Sequence, residues 1–138
     1  FRHGVKWGLF TGFVNSLLQM LLGFYAPPAP GLLPLVGMIL LDYVLAFTLL
    51  GLAGAIAKPF SNKLVGVGVG TAVVCFIRFL CSFLSGVLIW GNLSDGLPAW
   101  TYSLTYNGSY MLPETIMTTV AAVLIYKAAP QLFSAQND

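Results

Sequence analysis

The chain has 138 residues, of which 58% are hydrophobic and only 7% are charged, and its formal net charge is +2. An ordinary soluble domain carries about 25% charged residues, and the six basic and four acidic side chains of this chain cannot build a soluble surface of its size. The composition therefore excludes a soluble domain or soluble enzyme and predicts an all-α integral membrane protein.

Four apolar stretches follow one another along the chain, and proline and glycine punctuate the gaps between them. Each stretch is long enough to cross a bilayer, because a spanning helix needs roughly 20 mostly apolar residues. We predict a single transmembrane domain over residues 1–138, with four transmembrane helices at about 5–24, 32–57, 64–90 and 102–129.

The basic side chains indicate how these spans are oriented. The loops at 25–31 and 91–101 contain no Lys or Arg. Four alternating spans place every basic residue except Arg78 on the opposite side: Arg2, Lys6, Lys58, Lys63 and Lys127. Because Lys and Arg concentrate in cytoplasmic loops, we expect both ends of the chain to be cytoplasmic and the two loops without Lys or Arg to face outward.

Small residues recur at helical spacing in two of the spans. Gly8, Gly12 and Ser16 are four residues apart in the first span, and Gly66 and Gly70 open the third. Small residues let the backbones of membrane helices approach closely. The pattern predicts a tightly packed bundle.

Three ionisable residues fall inside the spans: Asp42, Arg78 and Glu114. Such residues are costly in lipid and commonly mark functional sites. At 1.5 Å per residue they lie about 15 to 18 Å below the outer helix ends, so all three could meet near mid-membrane. Arg78 could pair with Asp42 or with Glu114, but one cation cannot neutralise two carboxylates.

Asp42 is the better candidate for the acid that is left over. It is the shallower carboxylate, and the aromatic Tyr43 follows it directly. Aromatic rings favour organic cations, so the pattern points to a cation-binding pocket that opens outward.

The start of the fourth stretch is unusually polar, with hydroxyls and an amide between Tyr102 and Tyr110. Two interpretations are open: a partly wet helix end, or a wall that faces a ligand. Pro113 either kinks one helix or begins a new one.

Several chemistries are excluded on residue counts. His3 is the only histidine, so a metal cluster of several histidines cannot form. No phosphate-binding ATPase motif and no basic patch interleaved with aromatics is present, so we expect no catalytic residues, metal, cofactor or nucleic-acid partner. Cys75 and Cys81 are six residues apart on different helix faces and are best explained as buried apolar filler.

The sequence resembles the thiamine-specific substrate-binding (S) component of energy-coupling-factor transporters. The resemblance rests on "LDYVLAFTLLGLAG" at 41–54, "RFLCSFLSGVLIWG" at 78–91 and "YSLTYNGSYMLPE" at 102–114, with support from "GVKWGLFTGFVNSLLQMLLG" at 4–23. The family fold is a six-helix membrane bundle. Because the chain opens at Phe1 and not at Met, we expect an N-terminally truncated fragment that resembles the last four of those helices.

The resemblance also implies a substrate site near the outer face. The family has an acid followed by tyrosine in its pocket, usually Glu where this chain has Asp, and it usually has a pocket histidine where this chain has Ser82. The positions that the resemblance assigns to substrate binding are Asp42, Tyr43, Ser82, Gly86, Trp90, Tyr102 and Asn107.

By this resemblance, the chain is expected to be a thiamine-binding subunit of a vitamin uptake transporter in a bacterial cytoplasmic membrane. It would capture thiamine from outside and depend on a separate energising module, consisting of a transmembrane coupling protein and two ATPase subunits. Two alternatives stay open. One is an S component for another small molecule, such as a thiamine precursor. The other is a structural or assembly subunit whose polar residues only pack helices.

Overall fold

The computed structural model describes residues 1–28 and 30–134. Its architecture is a bundle of four helices, and the described residues include no strand. The all-α prediction is therefore confirmed. The helices are α1 (Gly4–Leu22), α2 (Leu32–Ala57), α3 (Lys63–Leu88) and α4 (Ala99–Ala128).

Three of these helices, α2, α3 and α4, are long and apolar enough to cross a membrane within the part of the chain that the structure describes. Helix α1 has 19 residues and carries Lys6, Asn15 and Gln19, which lower its hydropathy. The structure thus places a helix in each predicted span. That α1 also crosses the membrane remains a prediction.

Helix α2 is not regularly wound along its length. A π-helical segment, Ile39–Leu45, follows its first two turns, and a 3₁₀ segment, Leu49–Leu52, lies nearer its end. A π-helical turn holds an extra residue and often marks a functional position. Asp42 is the central residue of the π-helical segment.

Close backbone contact holds α1 against α2. A Cβ atom on Gly8 would come within 3.2 Å of the Gly51 Cα, and one on Gly12 would come within 2.9 Å of the Thr48 Cα. No side chain fits at either position while the helices keep this spacing. The predicted role of the small residues of the first span in packing is therefore confirmed.

Helix α3 is the central helix of the bundle, and it packs against both α2 and α4. In the most apolar 18-residue stretch of each helix, 39% of the residues of α3 are buried, compared with 11% for α2 and 6% for α4. Its first turn is fixed by Asn62, whose side-chain oxygen accepts hydrogen bonds from the backbone N–H groups of Leu64 (3.0 Å) and Val65 (3.3 Å). Gly66 lets α3 approach α2, since a Cβ there would lie 2.8 Å from the Ala57 carbonyl oxygen.

Helix α4 runs without a break from Ala99 to Ala128 and contains Pro113 in its interior. The structure thus decides between the two alternatives for this proline, because the polar stretch before it belongs to one continuous helix.

The two ends of the described chain meet at one end of the bundle. The rings of Phe1 and Phe133 are 5.2 Å apart, and Phe133 also contacts the ring of Tyr126 near the end of α4. The backbone of Phe1 lies against Gly54, close to the end of α2. The opposite end of the bundle, where α1 and α3 end and α4 begins, is free to form a cavity.

Candidate ligand-binding cavity

A cavity of about 580 Å³ lies between the helices at the end of the bundle opposite the chain ends. All four helices contribute to its wall. Every position that the sequence assigned to substrate binding lines it: Asp42, Tyr43, Ser82, Gly86, Trp90, Tyr102 and Asn107. Residues 65 positions apart in the sequence are thus brought to one site.

The Asp42 carboxylate is held by two donors from α3 and the turn that follows it. Ser85 Oγ donates to Asp42 Oδ2 at 2.6 Å, and the Trp90 indole N–H donates to the same oxygen at 3.3 Å. Among the described residues both hydrogen bonds go to Oδ2, so Oδ1 is left for a ligand. Ser85 is completely buried, which fixes the direction of the carboxylate.

Arg78 forms an ion pair with Glu114 and not with Asp42. The Arg78 guanidinium also lies over the ring of Phe47, 4.8 Å from its centre. The sequence left both pairings open, and the structure selects the one that joins α3 to α4. Of the two acids inside the spans, Asp42 is therefore the one without a basic partner among the described residues, in agreement with the prediction that it is the carboxylate left over.

Tyr43 forms part of the cavity wall, but its hydroxyl is engaged elsewhere. It donates to the Gly23 carbonyl oxygen at 2.8 Å, and its ring stacks on Phe24 with the ring centres 6.3 Å apart. Tyr43 is only 9% exposed. Its contacts tie the segment after α1 to α2, so Tyr43 shapes the cavity and leaves polar recognition to other groups.

Asn107 is also largely engaged in contacts within the protein. Its amide Nδ2 donates to the backbone oxygens of Ser82 (3.2 Å) and Ser103 (3.1 Å), and its Oδ1 accepts from the Tyr110 hydroxyl at 3.0 Å. Asn107 is only 6% exposed. The amide therefore joins α4 to α3, and it reaches the cavity chiefly through Tyr110.

Gly86 lets α3 and α4 approach each other beside Asn107. A Cβ on Gly86 would lie 2.7 Å from the Ser103 Cβ and 3.2 Å from Asn107 Nδ2. Ser103 Oγ donates to the Phe83 carbonyl oxygen at 2.7 Å and fastens the same contact. Ser82 stands one turn before Gly86 and lines the cavity with a short hydroxyl side chain.

An aromatic ladder on α4 forms one wall of the cavity. Tyr102 stacks on Tyr106 with ring centres 6.0 Å apart, and Tyr106 meets Tyr110 edge-on at 5.8 Å. The three tyrosines are four residues apart, so they share one helix face. Trp90 lies at the mouth of the same cavity, near the end of α3.

Several lining residues were not assigned to the site from the sequence. Tyr106 and Tyr110 could have been found from their spacing to Tyr102. Arg78 was marked in the sequence as an ionisable residue inside a span but was not assigned to the wall. No sequence pattern singles out the others, which join the wall only through helix packing: Gln19, Leu22, Gly23, Tyr25, Met38, Phe47 and Leu93.

Another cavity, of about 560 Å³, lies at the end of the bundle that holds the chain ends. Arg2 and His3 border it, and its described lining residues include no carboxylate. It is therefore a poor site for a cation. Among the described residues no group of three or more His, Cys, Asp or Glu side chains could hold a metal ion, and Cys75 and Cys81 are buried free thiols.

The fold and the cavity define a class of protein: an all-helical membrane protein with a polar and aromatic cavity between its helices. The chain belongs to the thiamine transporter protein family, because the sequence model of that family matches residues 1–134. This membership confirms the family resemblance seen in the sequence, and because the members are transporters it also confirms that the chain is not an enzyme.

Two relatives are both described as the thiamine transporter ThiT. The protein from Bacillus subtilis is 32% identical over 147 residues, covering 99% of this chain and 73% of the relative. The protein from Lacticaseibacillus paracasei is 33% identical over 151 residues, covering 99% of this chain and 71% of the relative.

A solved structure of ThiT from Listeria monocytogenes has the same fold. The two structures superpose with a TM-score of 0.76 at 22% sequence identity, over 96% of this chain and 75% of that one. This likeness supports the helical arrangement and by itself says nothing about the ligand.

Proposed function

We propose that this chain binds thiamine as the substrate-capturing subunit of a vitamin uptake transporter. The observation that carries the proposal is the Asp42 carboxylate, which faces an aromatic cavity with one oxygen free while Arg78 is paired with Glu114. A cavity with one such acid suits a ligand that carries one positive charge. The family to which the chain belongs names thiamine as that ligand.

The chemistry of thiamine fits the groups that line the cavity. Its thiazolium ring is a permanent cation, so Asp42 can hold it at any pH at which the carboxylate is ionised. The tyrosine ladder of α4 and the Trp90 ring offer flat faces on which aromatic rings stack and cations are attracted. The free Asp42 Oδ1 accepts, and the Tyr102 and Tyr106 hydroxyls can donate or accept.

Thiamine also carries an aminopyrimidine ring, and we do not propose Asn107 as the main polar contact of that ring. Because the Asn107 amide is engaged with α3, we assign contact with that ring to the hydroxyls of Tyr110 and Ser82, two cavity residues that are each hydrogen-bonded to Asn107. Asn107 then acts by orienting Tyr110. This chain has Ser82 where the family usually has a histidine, so the aminopyrimidine ring has fewer contacts with aromatic side chains here.

The proposed role also requires partners. The described residues include no ATP-binding motif, and a subunit of this kind obtains energy from a separate module of a transmembrane coupling protein and two ATPases. We propose that this module is its partner in a bacterial cytoplasmic membrane. The two loops without Lys or Arg would face outward, and the basic ends of the chain would lie in the cytoplasm.

The direct test is a thiamine titration of the purified protein in detergent, followed by tryptophan fluorescence. Because Trp90 lines the cavity, thiamine is expected to quench its emission in a saturable way. Competition with the isolated pyrimidine and thiazolium halves of thiamine tests the precursor alternative, since a precursor carrier would bind one half as tightly as the whole. Absence of any saturable signal from a folded protein would contradict the proposal and favour a structural subunit.

A further inference from the structure

The ion pair between Arg78 and Glu114 joins two helices and also borders the cavity. Arg78 lines the cavity, whereas Glu114 lies behind it, outside the set of described residues that form the wall. The side chain of Arg78 is 18% exposed, and its Nε is buried without a hydrogen-bond partner among the described residues. A positive group thus borders a cavity that we assign to a cationic ligand.

This arrangement creates an electrostatic conflict. Asp42 attracts a cation, and an uncompensated Arg78 would repel it. Arg78 and Ser85, the donor to Asp42, are seven residues apart on α3, which corresponds to about 10 Å along the helix at 1.5 Å per residue. A ligand cation held beside Asp42 would lie about 10 Å from the Arg78 guanidinium. At an effective dielectric constant of about 20, the repulsion between these two charges lowers the affinity for the ligand by roughly tenfold.

We propose that Glu114 is a specificity-determining residue that acts through Arg78, by neutralising the guanidinium so that the cavity accepts a cation. The proposal rests on the function proposed above. Glu114 touches no ligand. It binds the Arg78 guanidinium from α4, while the Phe47 ring on α2 lies over the same group.

A purely structural role for the ion pair is less consistent with its surroundings. Helices α3 and α4 are already joined nearby by the bonds from Asn107 to the Ser82 carbonyl and from Ser103 to the Phe83 carbonyl. These bonds involve buried side chains and carry no net charge. The added contribution of the ion pair is therefore electrostatic, and it should depend on the charge of the ligand.

The test compares thiamine with an uncharged analogue in which carbon replaces the thiazolium nitrogen. Binding of both ligands is measured for the parent, Glu114→Gln, the double variant Arg78→Gln/Glu114→Gln, and Asp95→Asn. Glutamine keeps the shape of Glu114 and its ability to accept a hydrogen bond. Asp95 is exposed outside the cavity, so its variant controls for the loss of one negative charge.

In Glu114→Gln we expect the affinity for thiamine to fall about tenfold while the affinity for the uncharged analogue changes by less than about twofold. The double variant should recover most of the lost thiamine affinity, because the repelling charge is removed as well. Asp95→Asn should leave the ratio of the two affinities unchanged.

Equal losses for both ligands in Glu114→Gln, or no recovery in the double variant, would overturn the proposal and assign the pair to helix packing. These outcomes remain distinct from a failure of the proposed function, in which the parent itself would bind neither ligand. If Glu114→Gln does not fold, Arg78→Gln decides, because it leaves the Glu114 charge uncompensated and should raise the affinity for thiamine relative to the uncharged analogue; an unchanged ratio of the two affinities would overturn the proposal.

Discussion

The roles of single residues in this cavity differ from what residue type alone suggests. Tyr43 and Asn107 carry groups that could recognise a ligand, but their polar atoms are bonded to Gly23 and to α3. Trp90 offers a flat aromatic ring to the cavity, and its indole N–H also donates a hydrogen bond to Asp42. The sequence could indicate which residues meet at the cavity. It could not indicate which of their atoms are engaged, because that depends on carbonyl oxygens from distant segments.

The position of Trp90 gives a prediction at this scale. Trp90→Phe should abolish most of the thiamine-dependent quenching and weaken binding by about fivefold, since phenylalanine lacks the indole N–H that donates to Asp42 and a hydrogen bond contributes about 1 kcal/mol. Trp100→Phe is the matched control, because Trp100 is 57% exposed and is not among the described residues of the cavity wall. Quenching that survives in Trp90→Phe and disappears in Trp100→Phe would contradict the placement of the ligand.

At the scale of elements, length and hydropathy were sufficient to predict where the helices lie. The predicted span at 32–57 coincides with α2, and the other three differ from the observed helices by one to three residues at their ends. The π-helical turn around Asp42 could not be predicted, because 39–45 is an apolar run with no glycine or proline to mark an irregularity.

The close contact of α1 with α2 gives a prediction at this scale. Gly12→Ala should lower the free energy of unfolding by about 1–3 kcal/mol, because its Cβ would overlap the backbone of α2 at Phe47 and Thr48, which cannot move aside as a flexible side chain could. Thermal unfolding in detergent measures the change.

Gly108→Ala is the control for this substitution. No atom lies within 4 Å of the Cβ position at Gly108, and alanine is favoured over glycine inside a helix. The control should be as stable as the parent or slightly more stable. An equal loss of stability in the two variants would show that the helix contact is not the cause.

At the scale of the whole molecule, the helices pack in chain order: α1 lies mainly on α2, α2 on α3, and α3 on α4. This order brings the ends of α1 and α3 and the start of α4 around one cavity, while the basic residues near the chain ends lie at the other end of the bundle. Charge patterning in the sequence anticipated this separation. The cavity could be seen only in the packed structure. The pairing of Arg78 with Glu114 also could not be predicted from the sequence, because both Asp42 and Glu114 were at a suitable depth.

The central claim is that Asp42 is the counter-ion for thiamine, and calorimetric titration of thiamine onto the parent, Asp42→Asn and Asp95→Asn tests it most directly. Asparagine keeps the size of Asp42 and removes its charge. We expect a loss of affinity of at least about tenfold in Asp42→Asn, since breaking a charge-assisted contact costs about 1.5–3 kcal/mol, and no comparable loss in Asp95→Asn. If Asp42→Asn bound thiamine as tightly as the parent, the proposed counter-ion and the cavity assignment built on it would be wrong.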